Sequence, residues 1–354
     1  MNDRRPATSF LPVTGVLEMT YRCNHACLFC SCPWYADGFP EYPEMSTEEW
    51  KALIAGLCRR GVGTIAFTGG EPLLKEGLAE IIEFAASRTA EHIETVEGRL
   101  QTRFSSLKLF LLSNGKLMSH EILRLCKKHD INLSMSLPGL DSFAEHTRGG
   151  ETAEHILEWF RQAKAAGVKT TVGITVTSRN IHELYETMAS ALLAGADTVL
   201  LNRFMPGGRG LLHRELELDR NQLSTMLDVA EEVLKQSGRF GSVGTELPLC
   251  LVDPSKFKHL KVGTRCAAAI DFFVVDPSGF TRVCNHSQVR LEHWREIDKL
   301  KANPYWQRFT LKDYLPETCY ACAMLGECDG GCREAAHIVG GSLCSPDPLL
   351  CRHD

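Results

Sequence analysis

From about Thr14 to Phe204, short β-branched runs alternate with longer segments in which apolar residues recur every three or four positions. The alternation predicts strands at Gly15–Met19, Thr64–Phe67, Lys108–Leu112, Asn132–Leu137, Thr170–Val176 and Thr198–Phe204. Helices are expected between them, at Thr47–Arg59, His120–His129, Ala153–Ala166 and Ile181–Leu193. Ser46 and Thr47 followed by Glu49 form a helix-start signal, and Gly61 and Gly167 suit helix ends. Strands separated by helices in this way pair in parallel with the helices outside. Six such units are too few for an eight-fold barrel, so the fold expected is α/β, a partial (β/α)6 barrel or open sheet.

The charged stretch Arg88–Arg103 reads as a solvated helix or loop between the second and third strands. Met205–Gly210 is a Pro/Gly-rich break, followed by a helix near Asn221–Lys235. Beyond Gly238 the strands shorten and cysteines crowd together. Asp276-Pro277-Ser278-Gly279 reads as the turn of a hairpin between Phe272–Val275 and Phe280–Cys284. The boundary falls near Gly238–Glu246, giving a barrel over 14–237 and a small cysteine-rich domain over 246–354.

At 44% hydrophobic and 23% charged residues, the 354-residue chain has the composition of a globular protein with a sizeable core. A net charge of −5 offers no basic footprint for nucleic acid. No apolar run reaches the roughly 20 residues of a membrane span. Arg4 and Arg5 are followed by Pro6 and Pro12 rather than by a continuous apolar signal region. The chain therefore reads as unexported and cytoplasmic. Fifteen cysteines in a reducing compartment point to metal binding rather than a disulfide framework.

Cys23, Cys27 and Cys30 follow the first strand as Cys-x3-Cys-x2-Cys. Three thiolates can hold three irons of a [4Fe–4S] cluster and leave the fourth open for a ligand. A structural zinc site would want four ligands, and His25 inside the loop is its one local candidate. Gly69-Gly70-Glu71-Pro72 ends the second strand, so its loop neighbours the cysteine loop on the same barrel face. Glycines there let backbone approach a ligand closely, and Glu71 offers a charge suited to an amino group. Ser113-Asn114-Gly115 and Ser134-Met135-Ser136 bring small polar groups to the same face.

The cysteine triplet with aromatic Phe29, in register with Gly69-Gly70-Glu71-Pro72, resembles the radical S-adenosylmethionine superfamily over roughly residues 14–235. The resemblance implies that Cys23, Cys27 and Cys30 hold a [4Fe–4S] cluster whose fourth iron binds the cofactor methionine. It implies cofactor contacts from Phe29, Gly69, Gly70, Glu71, Pro72, Ser113, Asn114, Ser136 and Arg148, the last within Glu145-His146-Thr147-Arg148-Gly149. Pro138 stands where the related pattern often has Asp. The implied chemistry is reductive cleavage of the cofactor to a 5′-deoxyadenosyl radical that abstracts hydrogen from an unactivated carbon. An electron donor such as flavodoxin or ferredoxin is implied as a partner.

Cys266, Cys284, then Cys319-x2-Cys322-x5-Cys328-x3-Cys332, with Asp347-Pro348 and Cys351 in the tail, resemble the SPASM domain that carries two auxiliary [4Fe–4S] clusters. By that resemblance Cys319, Cys322, Cys328 and Cys351 hold one cluster. Cys266, Cys284 and Cys332 supply three ligands of the other, with Cys250 or an open iron as the fourth. Cys344 competes with Cys351 for the tail position. A zinc ribbon on Cys319, Cys322, Cys328 and Cys332 is the alternative, and it leaves Cys266, Cys284 and Cys351 unexplained. Cys58 and Cys126 fall on apolar helix faces and read as core. Cys32 reads as a potential hydrogen donor, Trp34 and Tyr35 as packing of the loop, and His286 as a neighbour of a cluster.

Enzymes of the SPASM type mostly modify peptides, and auxiliary clusters suit a reaction that removes an electron from its substrate. The function expected is therefore oxidative maturation of a ribosomally made peptide, by cross-linking or a related reaction. Alternatives are haem or quinone-cofactor biosynthesis, suggested by Asn202–Gly210 and Cys332–Ala336, then anaerobic sulfatase maturation, then an iron–sulfur electron carrier. About twenty residues precede Cys23, so a leader peptide would be recognised by a separate protein or by the barrel itself. No residue is singled out as catalytic acid or base.

Overall fold

The computed structural model describes residues 10–40, 42–96 and 99–351, and the side chains at 94–96, 100 and 351 lie outside that description. Its centre is a ten-stranded sheet. Strands β1 (Thr14–Glu18) and β2 (Thr64–Thr68) are followed by a separate hairpin, β3 (Thr89–Val96) and β4 (Arg99–Ser106). Then come β5 (Lys108–Ser113), β6 (Asn132–Ser136), β7 (Thr170–Val176), β8 (Thr198–Arg203) and the short β9 (Gly241–Val243) and β10 (Leu260–Lys261). A final pair, β11 (Phe272–Val275) and β12 (Thr281–Arg282), completes the set. The order is β10-β9-β8-β7-β6-β5-β2-β1-β11-β12, parallel except for the β11–β12 pair.

Each βα connection is set by local chemistry. Helix α1 (Thr47–Arg59) starts at a capping box in which Ser46 and Glu49 satisfy each other's backbone N–H groups. Helix α2 (Leu78–Ala86) follows β2, and α3 (His120–Lys128) is capped by Ser119. After the short α4 (Phe143–Thr147), α5 (Ala153–Ala166) and α6 (Leu184–Ala194) end on Gly167 and Gly195 in the left-handed conformation. Helix α7 (Arg220–Ser237) repeats the capping box with Asp219 and Gln222. The smaller α8 (Pro304–Thr310), α9 (Arg333–Gly340) and α10 (Pro348–Cys351) belong to the C-terminal region.

The two faces of the barrel strands differ in kind. Ile65, Phe67, Leu109, Leu111, Leu133, Met135, Val172, Ile174, Val199 and Leu201 are buried in the apolar core. The alternate positions line an open interior and mix small polar residues, such as Thr64, Asn132, Ser134, Thr171 and Thr198, with apolar ones, such as Phe110, Leu112 and Leu200. Period-two alternation therefore builds a hollow half-barrel rather than a filled one.

Two expectations need correction. Arg88–Arg103 is neither helix nor loop, since Thr89–Val96 and Arg99–Ser106 pair antiparallel in full register. Its charges lie between β-branched and aromatic positions, and they masked the strand period. The expected boundary near Gly238–Glu246 also does not divide the sheet. Strands β9 and β10 extend the barrel beyond β8, while β11 pairs in parallel with β1 at the other edge.

Candidate functional site

The cysteine loop leaves β1 at Glu18 and is held by backbone bonds from every side. Ala26 N donates to Thr147 O and Leu28 N to His146 O, both at 3.0 Å, which ties the loop to α4. Gly70 N and Glu71 N donate to Thr20 O and Arg22 O at 2.9 and 2.8 Å. Side chains do not fit here: a Cβ on Gly70 would lie 2.2 Å from the Arg22 carbonyl oxygen, and one on Gly69 2.8 Å from Thr20 O. The two glycines thus serve close approach of one loop to another. From β8, Gly207 and Gly208 lie against Ser31 and Cys32 in the same way, and Gly210 N donates to Cys30 O.

Glu71 is fully buried, and its carboxylate is directed at its own scaffold. It accepts hydrogen bonds from Ser113 Oγ at 2.9 Å, Asn114 N at 2.7 Å and Leu73 N at 3.0 Å. Burial raises its pKa against the pull of those donors. Pro72 opens the turn that follows. Asn114 then reaches the cysteine loop, donating to Asn24 Oδ1 at 2.7 Å and lying 3.8 Å from Cys23 Sγ. His25 pairs with Glu151 at 2.9 Å, and Glu151 in turn pairs with Lys116. The histidine of the loop is therefore committed to a salt-bridge network.

The thiols of Cys23, Cys27 and Cys30 bear on one another electrically, and the Arg209 guanidinium faces all three. Arg209 is stacked 3.7 Å over the Tyr35 ring, and Tyr35 donates to Tyr21 O. The neighbouring Cys32 thiol draws Cys30 below the ordinary thiol value, whereas burial pushes Cys27 up. Among the described residues no three His, Cys, Asp or Glu side chains are close enough to hold a single metal ion. Spaced thiols around one loop fit a cluster, in which each iron takes its own thiolate.

Above this loop lies a cavity of about 470 Å³. Phe29, Cys30, Cys32, Gly69 and Ser136 line it together with Cys266, Cys284 and Cys332. Cys23, Cys27, Gly70, Glu71, Pro72, Ser113, Asn114 and Arg148 lie outside that lining, and Arg148 is exposed in the left-handed conformation at the end of α4.

The C-terminal thiols fall into two groups. Cys266, Cys284 and Cys332 are buried together, which pushes all three thiols up, Cys332 to about 12. Asp329 Oδ2 accepts from Cys266 N and Asp347 Oδ2 from Cys332 N, both at 2.7 Å, and Asp347 also pairs with buried Arg203 at 2.6 Å. Gly330 and Gly331, both at positive φ, turn the chain between Cys328 and Cys332. The run from Cys319 to Cys332 is thereby divided between the groups, which removes the four-cysteine ribbon.

Of the two alternatives for the fourth position, Cys250 stands with the other thiols. It is exposed, and the thiols that bear on it are Cys328, Cys319 and Cys322 rather than Cys266, Cys284 and Cys332. The adjacent Leu249 N donates to Cys328 Sγ at 3.4 Å. The turn at Pro248 places this cysteine beside the outer loop, which spacing alone did not reveal. Cys344 stands apart, its sulfur accepting from Arg308 at 3.1 Å. The Cys351 side chain lies outside the described residues. Cys58 and Cys126 are buried in α1 and α3.

Some functional neighbours were missed in the sequence. Glu18 pairs with buried Arg282, joining the end of β1 to β12, and the Gly-Gly-Arg-Gly run was the one visible sign of Arg209. No helix among the described residues is long and apolar enough to cross a membrane.

The sequence matches the Radical SAM superfamily over residues 17–191. It is 25% identical over 349 residues to the PqqA peptide cyclase of Granulibacter bethesdensis, covering 95% of this chain and 87% of that protein. It is 26% identical over 367 residues to the mycofactocin maturase MftC of Mycolicibacterium smegmatis, covering 95% and 82%. Streptococcus suis SuiB bound to its precursor peptide SuiA superposes with a TM-score of 0.72 at 15% identity, over 97% of this chain and 76% of that one. The AdoMet-bound structure of anSMEcpe also gives 0.72, at 17% identity, over 96% and 90%.

Proposed function

Since the chain belongs to the radical S-adenosylmethionine superfamily, we propose that it oxidises a ribosomally made peptide, forming a cross-link or a related C–H modification. The observation that carries this reading is the shared cavity, lined by Cys30 of the first cysteine loop and by Cys266, Cys284 and Cys332. The relatives named PqqA peptide cyclase and mycofactocin maturase support the peptide as substrate.

The donor set fits the cofactors of the family. Cys23, Cys27 and Cys30 hold the catalytic [4Fe–4S] cluster, and Phe29, Gly69 and Ser136 border the place for S-adenosylmethionine. Those groups, when bound, supply a one-electron cleavage that yields a carbon radical able to take hydrogen from the substrate. Glu71, Ser113 and Asn114 act behind them by locking three strand-end loops together, and Arg148 acts from outside the cavity. The glycine-packed loops hold reacting groups in fixed orientation, which is where the protein's share of the rate lies.

An oxidised product requires the substrate to lose one hydrogen atom, then one electron and one proton. The proposed electron acceptor is an auxiliary [4Fe–4S] cluster at Cys266, Cys284 and Cys332, relayed through a second at Cys319, Cys322 and Cys328. Either Cys250 or Cys351 completes the second set. On this reading residues 246–354 carry the auxiliary clusters, while their strands β10 and β11 complete the barrel sheet. A cytoplasmic electron donor such as flavodoxin or ferredoxin, and a separate leader-binding protein, complete the system.

Co-expression with a short peptide encoded beside the gene tests the reading. The expected product is lighter by two hydrogens. Unchanged mass with a one-unit gain in deuterated water would mean epimerisation and bring Cys32 forward as hydrogen donor. Loss of carbon dioxide from a tetrapyrrole with the peptide untouched would refute the peptide assignment.

A further inference from the structure

We infer that Glu246 is the fourth protein ligand of the metal centre held by Cys266, Cys284 and Cys332, a carboxylate among three thiolates. The inference rests on reading those thiols as cluster ligands. Of the other described thiols near these elements, Cys250 stands with the outer group, Cys344 with Arg308, and Cys30 and Cys32 belong to the loop after β1. Glu246 follows β9 by three residues and lines the same cavity as all three cysteines.

One of its oxygens is fixed: Oε1 accepts from Ala267 N, the residue after Cys266, at 3.1 Å. That bond anchors the carboxylate beside the first thiol. Glu246 is also the strongest charge bearing on both Cys266 and Cys332. Two of the surrounding carboxylates are engaged elsewhere, since Asp329 and Asp347 take the backbone N–H groups of Cys266 and Cys332. Glu334 is half engaged: Oε1 accepts from Tyr305 at 2.8 Å, while the buried Oε2 has no hydrogen-bond partner and lies 3.5 Å from His337. Carboxylate oxygen is a harder donor than thiolate, so it makes the iron it binds distinct from the other three. Two rivals line the same cavity: His286, kept neutral by burial, and Glu334, which is the foremost charge bearing on Cys284 and has a buried oxygen without a partner.

The test uses the full chain with Cys23, Cys27 and Cys30 replaced by Ala, which removes the catalytic cluster's signals. In this background Glu246, E246Q and E246C are reconstituted anaerobically, reduced and titrated with ¹³C-cyanide while ¹³C hyperfine coupling is followed. The inference expects E246Q to bind cyanide at least about tenfold more tightly than the Glu246 protein, a difference of about 1.4 kcal/mol. E246C should bind no more tightly than Glu246, and adding C266A to E246Q should abolish the coupling. Equal cyanide affinity with Glu246 and with Gln would overturn the assignment, as would imidazole ¹⁵N coupling in the Glu246 protein. An iron count unchanged by C266A would instead remove the cluster reading, and the inference with it.

Discussion

The Cys23–Cys30 loop and the C-terminal cysteines are built on opposite plans. The first places three thiols within eight residues and is held by backbone contacts with neighbouring strand-end loops, made possible by Gly69, Gly70, Gly207 and Gly208. The second gathers thiols from well-separated segments and fixes them with buried charge, chiefly Asp329, Asp347 and Arg203. A loop built from backbone contacts is sensitive to added volume. A site built from buried charge is sensitive to a lost partner, because the ion left behind is desolvated and unpaired.

The contrast is sharpest where the chemistry starts. Replacing Cys23, Cys27 and Cys30 together by Ala should abolish 5′-deoxyadenosine formation and lower the iron content from about 12 to about 8 per chain. Liquid chromatography and an iron assay measure both. Asp347→Ala comes next, since it strands buried Arg203 and frees Cys332 N. It should cost about 3–5 kcal/mol in denaturant unfolding. It should also remove about four irons while leaving the catalytic cluster in place.

Gly70→Ala reverses the pattern. Its methyl group meets the Arg22 carbonyl oxygen, so the cysteine loop must shift, at about 1–3 kcal/mol. Cofactor cleavage should fall steeply while the auxiliary signals in the electron paramagnetic resonance spectrum stay unchanged. Cys344→Ala is the smallest expected effect. Its partner is Arg308, so iron content and product yield should stay near those of the unaltered chain. Loss of a whole cluster in this variant would break the assignment of the tail.

These two plans also explain what could be read from the sequence. All six barrel strands were legible, because apolar positions alternate cleanly beneath the helices, and so was the cysteine triplet with its Gly-Gly-Glu-Pro neighbour. The β3–β4 hairpin was not, because charges between its β-branched residues resemble a solvated segment. The role of the glycines was only half legible: the close approach was expected toward a ligand, and it occurs between two stretches of backbone. Glu71 pointed toward an amino group in the sequence but is bonded to Ser113, Asn114 and Leu73. Pairings such as Glu18 with Arg282, 264 residues apart, leave no local trace. Cys250 was left open in the sequence for the same reason, since only the folded chain decides which loop it meets.

The central claim is that radical generation and substrate oxidation belong to two different groups of thiols bordering one cavity. The direct measurement is 5′-deoxyadenosine and peptide mass, taken together, for the unaltered chain and for Cys266→Ala. The account predicts that Cys266→Ala still cleaves the cofactor but yields no peptide lighter by two hydrogens. A Cys266→Ala protein that oxidises its peptide as fully as the unaltered chain would contradict it.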